Sequence, residues 1–508
     1  MLKKYIAAAL CALSLSVSAQ KINPITQAML EGYGELLAQN PNDYLTLYER
    51  ASQYYRLSDY DKAITDIKRA IANTPVKETV QLASEYGLAA DIYTELKQYA
   101  DALVAINKAL EIEPMSYKWL YAKGNICMYI KDTASAKDTF QAMRRVNPRS
   151  VEALFGLAQV AVMEGRVSDA KELMEQLEKL DSNGFLTFCR LGDLHRDMGE
   201  PQEAAADYLS AFALSDSSMR PMSSLMDLAV TDYEAVSQAV DYALGRTQNV
   251  VPLYFISGNA AIRAGKFGDA YAAYMQLLSL PQVEPEPLYT ALGEICMMRG
   301  DIAEADNYLS KALQINNDVR NNVLKARLEN TRGNWASALL YTERALKLNP
   351  HDLDALLEAS RAELGLGRDT EALRYLTDAV MTDASDMRPL LVRGYMQSNG
   401  MAGMSTNVAD FSRVAAMKAD TDTDLAYKAI AQCLSGNALD AAASIKILEG
   451  KAAKSAEAAY LMALYSKNTG NIQQSDNWIN KARQLGFENE YLLKYFNMPV
   501  ISLSAVTR

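Results

Sequence analysis

The chain has 508 residues, with 62 acidic against 51 basic groups and a formal net charge of −11. That balance argues against nucleic acid, which is held by a basic stripe that releases counterions, and equally against an anionic membrane surface. Two histidines and five cysteines leave little material for nucleophilic or metal chemistry, and no C-x-x-C or H-E-x-x-H spacing occurs.

The first residues read as a targeting segment. Lys3 and Lys4 precede an apolar run from Tyr5 to Leu15, and Val17-Ser18-Ala19 places small residues where a signal peptidase reads. Residues 1–19 are therefore expected to be a secretory signal cleaved before Gln20. The run is shorter than the roughly twenty apolar residues a membrane-spanning helix needs. Cys11 lies in the middle of the run behind Leu10, where a bacterial lipoprotein carries a small residue. The form of the signal implies a Gram-negative periplasm, and no transmembrane segment is expected in the mature chain.

Residues 20–43 hold one amphipathic stretch, Ile25–Gln39, closed at Pro41 and expected to form an N-terminal capping helix. From residue 44 the chain is periodic. Alanine recurs at 102, 136, 170 and 204, 34 residues apart, inside a cassette of glycine, aromatic and alanine. In one unit Phe188, Leu191, Gly192 and His195 are followed by Gly199, Ala204, Tyr208 and Ala211; in another, Tyr254 and Gly258 are followed by Gly265, Phe267, Ala270 and Tyr274. The first glycine permits close approach of a second helix, the middle one the left-handed turn between helices. The alanine marks the helix crossing. Pro75, Pro114, Pro148 and Pro350 stop the second helix.

With Ala63, Ala102, Ala136, Ala170, Ala204, Ala270, Ala305, Ala338, Ala372 and Ala441 in one slot, the chain resembles the tetratricopeptide repeat family. The resemblance implies an all-α fold, a right-handed α-solenoid of stacked helix-turn-helix repeats, and about thirteen units at the ~34-residue period. They start near residues 44, 83, 117, 151, 185, 218, 251, 286, 319, 353, 387, 422 and 456. Repeats one to five occupy 44–217, a degenerate unit 218–250 and repeats seven to thirteen 251–487, while 488–508, with its apolar Met498-Pro499-Val500-Ile501, is read as a cap or tail. One continuous array is expected, each repeat touching only its neighbours.

That neighbour rule predicts free thiols at Cys127, Cys189, Cys296 and Cys433, too far apart for disulfides and better read as small core residues. His195 fills a slot that usually holds tyrosine, and His351 follows Pro350 in a turn. Neither has the neighbours of a base. No enzyme activity, metal or cofactor is expected.

In the family the concave surface comes from the first helix of each repeat, at its second, fifth, ninth and twelfth slots. The fifth slot holds Tyr48, Tyr121, Phe155, Phe255 and Tyr460, and the ninth Asp91, Asn125, Gln159, Asp193 and Asn259. Aromatic faces beside amides suit an extended peptide, or a sugar; simple packing between helices is the alternative. The lysine of the family's carboxylate clamp is missing, since Tyr121 precedes Asn125 and Tyr48 precedes Ser52. The second half carries Arg327 and Arg361 at equivalent ninth slots and Arg320 and Arg388 at second slots. This cluster predicts docking of an acidic segment through paired hydrogen bonds. The resulting expectation is a non-enzymatic scaffold for a protein or peptide, with a structural part in an envelope complex and a glycan-associated module as competing readings.

Overall fold

A computed structural model describes residues 24–215, 218–403 and 408–496. Residues 1–19, read above as a signal, and the Met498–Ile501 stretch lie outside the described residues. Among the described residues the secondary structure is α-helical, with one 3-10 turn at Met401–Gly403 and no strand. The chain divides into two compact units, with the boundary between Ser224 and Leu225. This division falls in the helix Met219–Leu244, which Asp232 interrupts with non-helical dihedrals of φ −139° and ψ 55°.

The first unit opens with the helix Pro24–Gln39 and stacks five helical hairpins, whose first helices are Tyr44–Arg56, Thr79–Glu95, Tyr117–Tyr129, Val151–Met163 and Phe185–Asp197. The second hairpin begins at Thr79, one helical turn before residue 83, because the stretch after Pro75 winds directly into the helix. In the second unit the first helices are Val251–Arg263, Pro285–Arg299, Val319–Arg332, Leu353–Gly365, Met387–Ser398, Asp422–Leu434 and Ala456–Asn468. Several begin behind a capping side chain. Ser150, Asp318 and Asp352 each accept from a backbone N–H of the first turn, and Thr421 forms a full capping box with Asp424, satisfying donors the helix cannot pair itself.

The alanine slot explains how the hairpins close. Ala63, Ala102, Ala136, Ala170, Ala204, Ala270, Ala305, Ala338 and Ala372 have no exposed surface, so each crossing brings two backbones to a methyl's distance. Opposite it, an aromatic ring lies over a glycine: a Cβ on Gly192 would stand 2.5 Å from the Tyr208 ring. Glycine is required there by space. The turns require it for a different reason. At Gly199, φ is +75°, a left-handed backbone that costs an L side chain about 1–2 kcal/mol.

All four described cysteines are free; Cys127, Cys189 and Cys296 are buried and Cys433 is half-buried. Burial, with Glu304 beside it, pushes the Cys296 thiol up to about 12, which keeps it protonated and inert. His195 turns its Nδ1 to Asp207 at 2.7 Å, tying the two helices of its own hairpin together. Among the described residues no cluster of three or more His, Cys, Asp or Glu side chains has the arrangement to hold a metal, and no helix is long and apolar enough to cross a membrane.

Candidate functional site: the first-helix faces of the two units

In the first unit the fifth-slot aromatics Tyr48, Tyr121 and Phe155 are half-buried, as are the ninth-slot amides Asn125 and Gln159. Each ring packs one flank against the core, Tyr48 beside the cluster around Leu47 and Ile67, Tyr121 beside Phe140 and Met143, and Phe155 beside Leu154 and Met174. None of the three is sealed off from solvent. Around them is a polar lining. Tyr117 donates to Glu152 at 2.6 Å, and burial together with that bond pushes its phenol up to about 12. Arg190 approaches Glu152 at 3.6 Å and lies 5.3 Å from the Phe155 ring centre, a cation–π distance. Nearer the N-terminus, burial pushes the Asp91 carboxyl up to about 6, with Lys118 opposing the shift and Glu95 adding to it. Tyr48 feels the same charge: its phenol is raised by burial, then by Glu49, Glu85 and Asp91. The fourth polar residue of this stripe is engaged, since Asp193 accepts from Tyr208 at 2.8 Å and from Arg220 at 3.0 Å.

The same slots in the second unit face inward. Phe255 is buried against Tyr274, edge to face at 6.2 Å. Asn259 is 3% exposed; its amide donates to the Phe255 carbonyl at 2.7 Å and accepts from Tyr274 at 3.3 Å. Neither can meet a ligand from solvent. The arginines are committed as well. Glu358, 2% exposed, accepts from Arg327 Nε at 2.9 Å, from Arg361 Nη1 at 3.0 Å and from Asn330 at 2.9 Å. Arg388 pairs with Asp386 at 2.8 Å and Asp354 at 3.0 Å, and the half-exposed Arg320 reaches Glu294 at 3.2 Å. Burial alone would lower the Arg327 guanidinium, but Tyr491, Glu358, Asp354 and Glu294 together hold it above its ordinary value. The open arginine ladder expected for an acidic segment is therefore an internal ion-pair mesh. Sequence spacing placed the guanidinium groups on one face and gave no sign of Glu358, one turn before Arg361, as their shared partner.

The segment expected to be a cap or tail closes this face. Asn489 caps a short helix, Glu490–Tyr495, accepting from the Leu492 N–H. Tyr491 is 6% exposed and its hydroxyl accepts from Arg361 Nη1 at 2.8 Å, across 130 residues of chain. Lys494 Nζ donates to the carbonyl of Thr331, and the Leu492 carbonyl is 3.5 Å from the hydroxyl of Tyr460. Tyr460, itself buried, is stacked on Phe487 at 4.6 Å and tilted against Phe496 at 5.9 Å. Tyr491 packs in the core of the helices from Val251 to Leu328, Phe496 in that of the helices from Leu357 to Ala482, and Leu492 touches both. Contacts of this range break the neighbour-only rule. The apolar run Tyr491-Leu492-Leu493 behind Asn489 is the one sequence signal that these residues dock.

Known proteins share the hairpin that builds both faces. Tetratricopeptide repeat models match residues 121–184 and 323–387, and 86–114 and 286–319. The chain carries tetratricopeptide repeats. Among relatives, the BBSome complex member BBS4 of Bos taurus is 26% identical over 185 residues, 36% of this chain and 34% of that protein. The DnaJ homolog subfamily C member 7 homolog of Schizosaccharomyces pombe is 22% identical over 382 residues, 70% of this chain and 67% of its own. Cellulose synthase operon protein C of Komagataeibacter xylinus is 35% identical over 102 residues, 20% of this chain and 8% of that one. The alignment thus spans about a third of the first relative and less than a tenth of the last. Among solved structures, a tetratricopeptide repeat protein from Parabacteroides merdae aligns with 51% of this chain and 99% of its own, at 18% identity and a TM-score of 0.37.

Proposed function

We propose that the protein is a non-catalytic scaffold that captures a protein or extended peptide on the concave face of its first unit, residues 44–215. The observation that carries this reading is the exposure of that face. Tyr48, Tyr121 and Phe155 stay partly exposed, as do the amides of Asn125 and Gln159, so apolar contact and backbone hydrogen bonding are offered together. The names of two relatives, a BBSome complex member and an Hsp70-Hsp90 organizing protein, support a role in assembly. The signal read at residues 1–19 places the scaffold, in this reading, in a Gram-negative periplasm, alone or with an envelope complex. Net charge favours neither nucleic acid nor a lipid surface as its target.

The test is capture from an envelope extract by the full chain and by a variant carrying Tyr121→Ser with Phe155→Ser. Loss of the captured partner, with helicity by circular dichroism unchanged, is the expected result. A partner retained at wild-type level by the double variant would refer binding to the outer surfaces and sink this reading. Export is tested separately, by sizing the N-terminus of protein secreted from a bacterial host.

A further inference from the structure

The described residues of the C-terminal segment are held in a manner unlike any other part of the second unit. The first helices of the repeats are packed by the second helix of their own hairpin and by helices of the adjoining repeat. The helix Glu490–Tyr495 is six residues long, too short to persist alone in water, so its order comes from the face it lies on. The contacts of residues 489–496 include several of a recognition type: a phenol on a guanidinium, an ammonium on a carbonyl oxygen, a leucine between two apolar clusters and a ring against a ring. It enters through Gly486, whose φ of +89° marks a sharp turn out of the preceding helix, Ile472–Gln484.

The main anion of the receiving face lies outside this segment. Glu358 accepts from Arg327, Arg361 and Asn330, none of them part of the segment. Departure of the segment would expose apolar surface and remove the phenol from Arg361, with Glu358 still beside both guanidinium groups. This is the behaviour of a bound peptide, and it occupies the surface built from first-helix slots that carries the open aromatic stripe in the first unit.

We propose that residues 489–496 are a resident ligand of the second unit, and that their groove takes in trans a short helical peptide of the same chemistry. Such a peptide carries a tyrosine for Arg361, a leucine directly after it, a lysine three residues after the tyrosine for the Thr331 carbonyl, and an aromatic ring five residues after it for Tyr460. A partner with that pattern competes with the chain's own segment, so the groove is occupied until an incoming peptide displaces it by local concentration or fit. This groove belongs to a different unit from the face proposed for capture above, and the Tyr121 and Phe155 substitutions leave its test untouched.

The probe is a fluorescent synthetic peptide with the sequence of residues 488–497, titrated into the full chain and followed by anisotropy. Tyr491→Asp in the full chain loosens the resident segment and is expected to bind the peptide at least about tenfold more tightly than wild type, the equivalent of about 1.4 kcal/mol. A peptide with alanine in place of its tyrosine is expected not to bind. Lys494→Glu, an exposed position whose change opens no cavity, gives a second variant in which a smaller gain is expected even if Tyr491→Asp proves poorly folded. Equal affinity for wild type and both variants would overturn the proposal, because the peptide would then be binding elsewhere. So would the absence of binding to either variant, which would make the segment a strut. A wild-type dimer by light scattering that the peptide dissociates would instead identify a second copy of this chain as the occupant, overturning the separate-partner form.

Discussion

Slot for slot, Tyr121 and Phe155 in the first unit correspond to Phe255 and Tyr460 in the second, and Asn125 and Gln159 to Asn259, Arg327 and Arg361. The first set is half-exposed and the second buried. The hairpins beneath are alike, with the same buried alanines and the same ring-over-glycine packing. The difference arises from charge and from chain end. Arginines in the second unit find Glu358, Glu294 and Asp354 within their own or an adjoining repeat, and residues 489–496 cover what remains. A repeat slot therefore defines where a side chain starts, while its partners decide whether it is available.

The largest effect is expected on the closed face. Glu358→Gln removes the one anion shared by two buried guanidinium groups, and breaking a buried pair costs about 3–5 kcal/mol. The corresponding change in the first unit, Glu152→Gln, breaks a looser contact with Arg190 at the rim and should cost about 1 kcal/mol or less. Urea denaturation of both variants checks the contrast. Similar losses in the two would remove the distinction between a sealed face and an open one.

Next in size is a change to the scaffold the units share. Gly192→Leu drives a side chain into the Tyr208 ring, which is fully buried and bonded to Asp193; overpacking of this kind costs about 1–3 kcal/mol. Gly258→Leu in the second unit meets Tyr274, with an added Cβ 2.6 Å from the ring, and should cost about the same. Unequal losses by thermal melting would mean that the hairpins, and not only their faces, differ.

Alanine, glycine and aromatic positions were legible in the sequence, and they specify the hairpin because each is dictated by local space, and space recurs with the period. Tyr48, Tyr121 and Phe155 fall on the first unit's face for the same reason. The fate of Arg327 and Arg361 was not legible, because it depends on Glu358 as a neighbour in three dimensions and on Tyr491, 130 residues from Arg361. No periodic signal reports a contact of that range. The helix Glu490–Tyr495 carries no repeat signature and too few residues for a helical period to show.

A smaller effect tests the electrostatics of the open face. The Asp91 carboxyl is pushed up to about 6, against about 3.9 in an unfolded chain. Between those values the folded state holds the proton that the unfolded state has released, so stability falls as pH rises from about 4 to about 6 and stays lower above that. Asp91→Asn should raise the melting temperature at pH 7, by an amount on the order of 1 kcal/mol after allowance for screening, and flatten the profile between those pH values. A variant with the wild-type pH profile would mean that Asp91 is solvated and that the open face carries no buried charge.

The smallest effect lies in the turns, where the units differ again. The second unit puts glycine in its left-handed turns at Gly265, Gly300, Gly333, Gly367, Gly436 and Gly470. Among the described residues of the first unit only Gly165 and Gly199 do so, while Ser58, Lys97 and Lys131 hold the same conformation, with φ of 59°, 59° and 61°; those of the second unit include one such non-glycine residue, Ala402. A non-glycine residue there costs about 1–2 kcal/mol in backbone strain, partly offset because glycine loses about 0.5–1 kcal/mol more in chain entropy on folding. Lys97→Gly is therefore expected to stabilise by about 0.5 kcal/mol, and the three substitutions together by about 1–2 kcal/mol if these separate sites add. Gly333→Lys, the reverse change in the second unit, should destabilise by a similar amount. Chemical denaturation of the triple variant reads the sum. A triple variant less stable than wild type would show that Ser58, Lys97 and Lys131 make contacts outweighing their strain, and that the first unit's turns are not simply weaker copies of the second's.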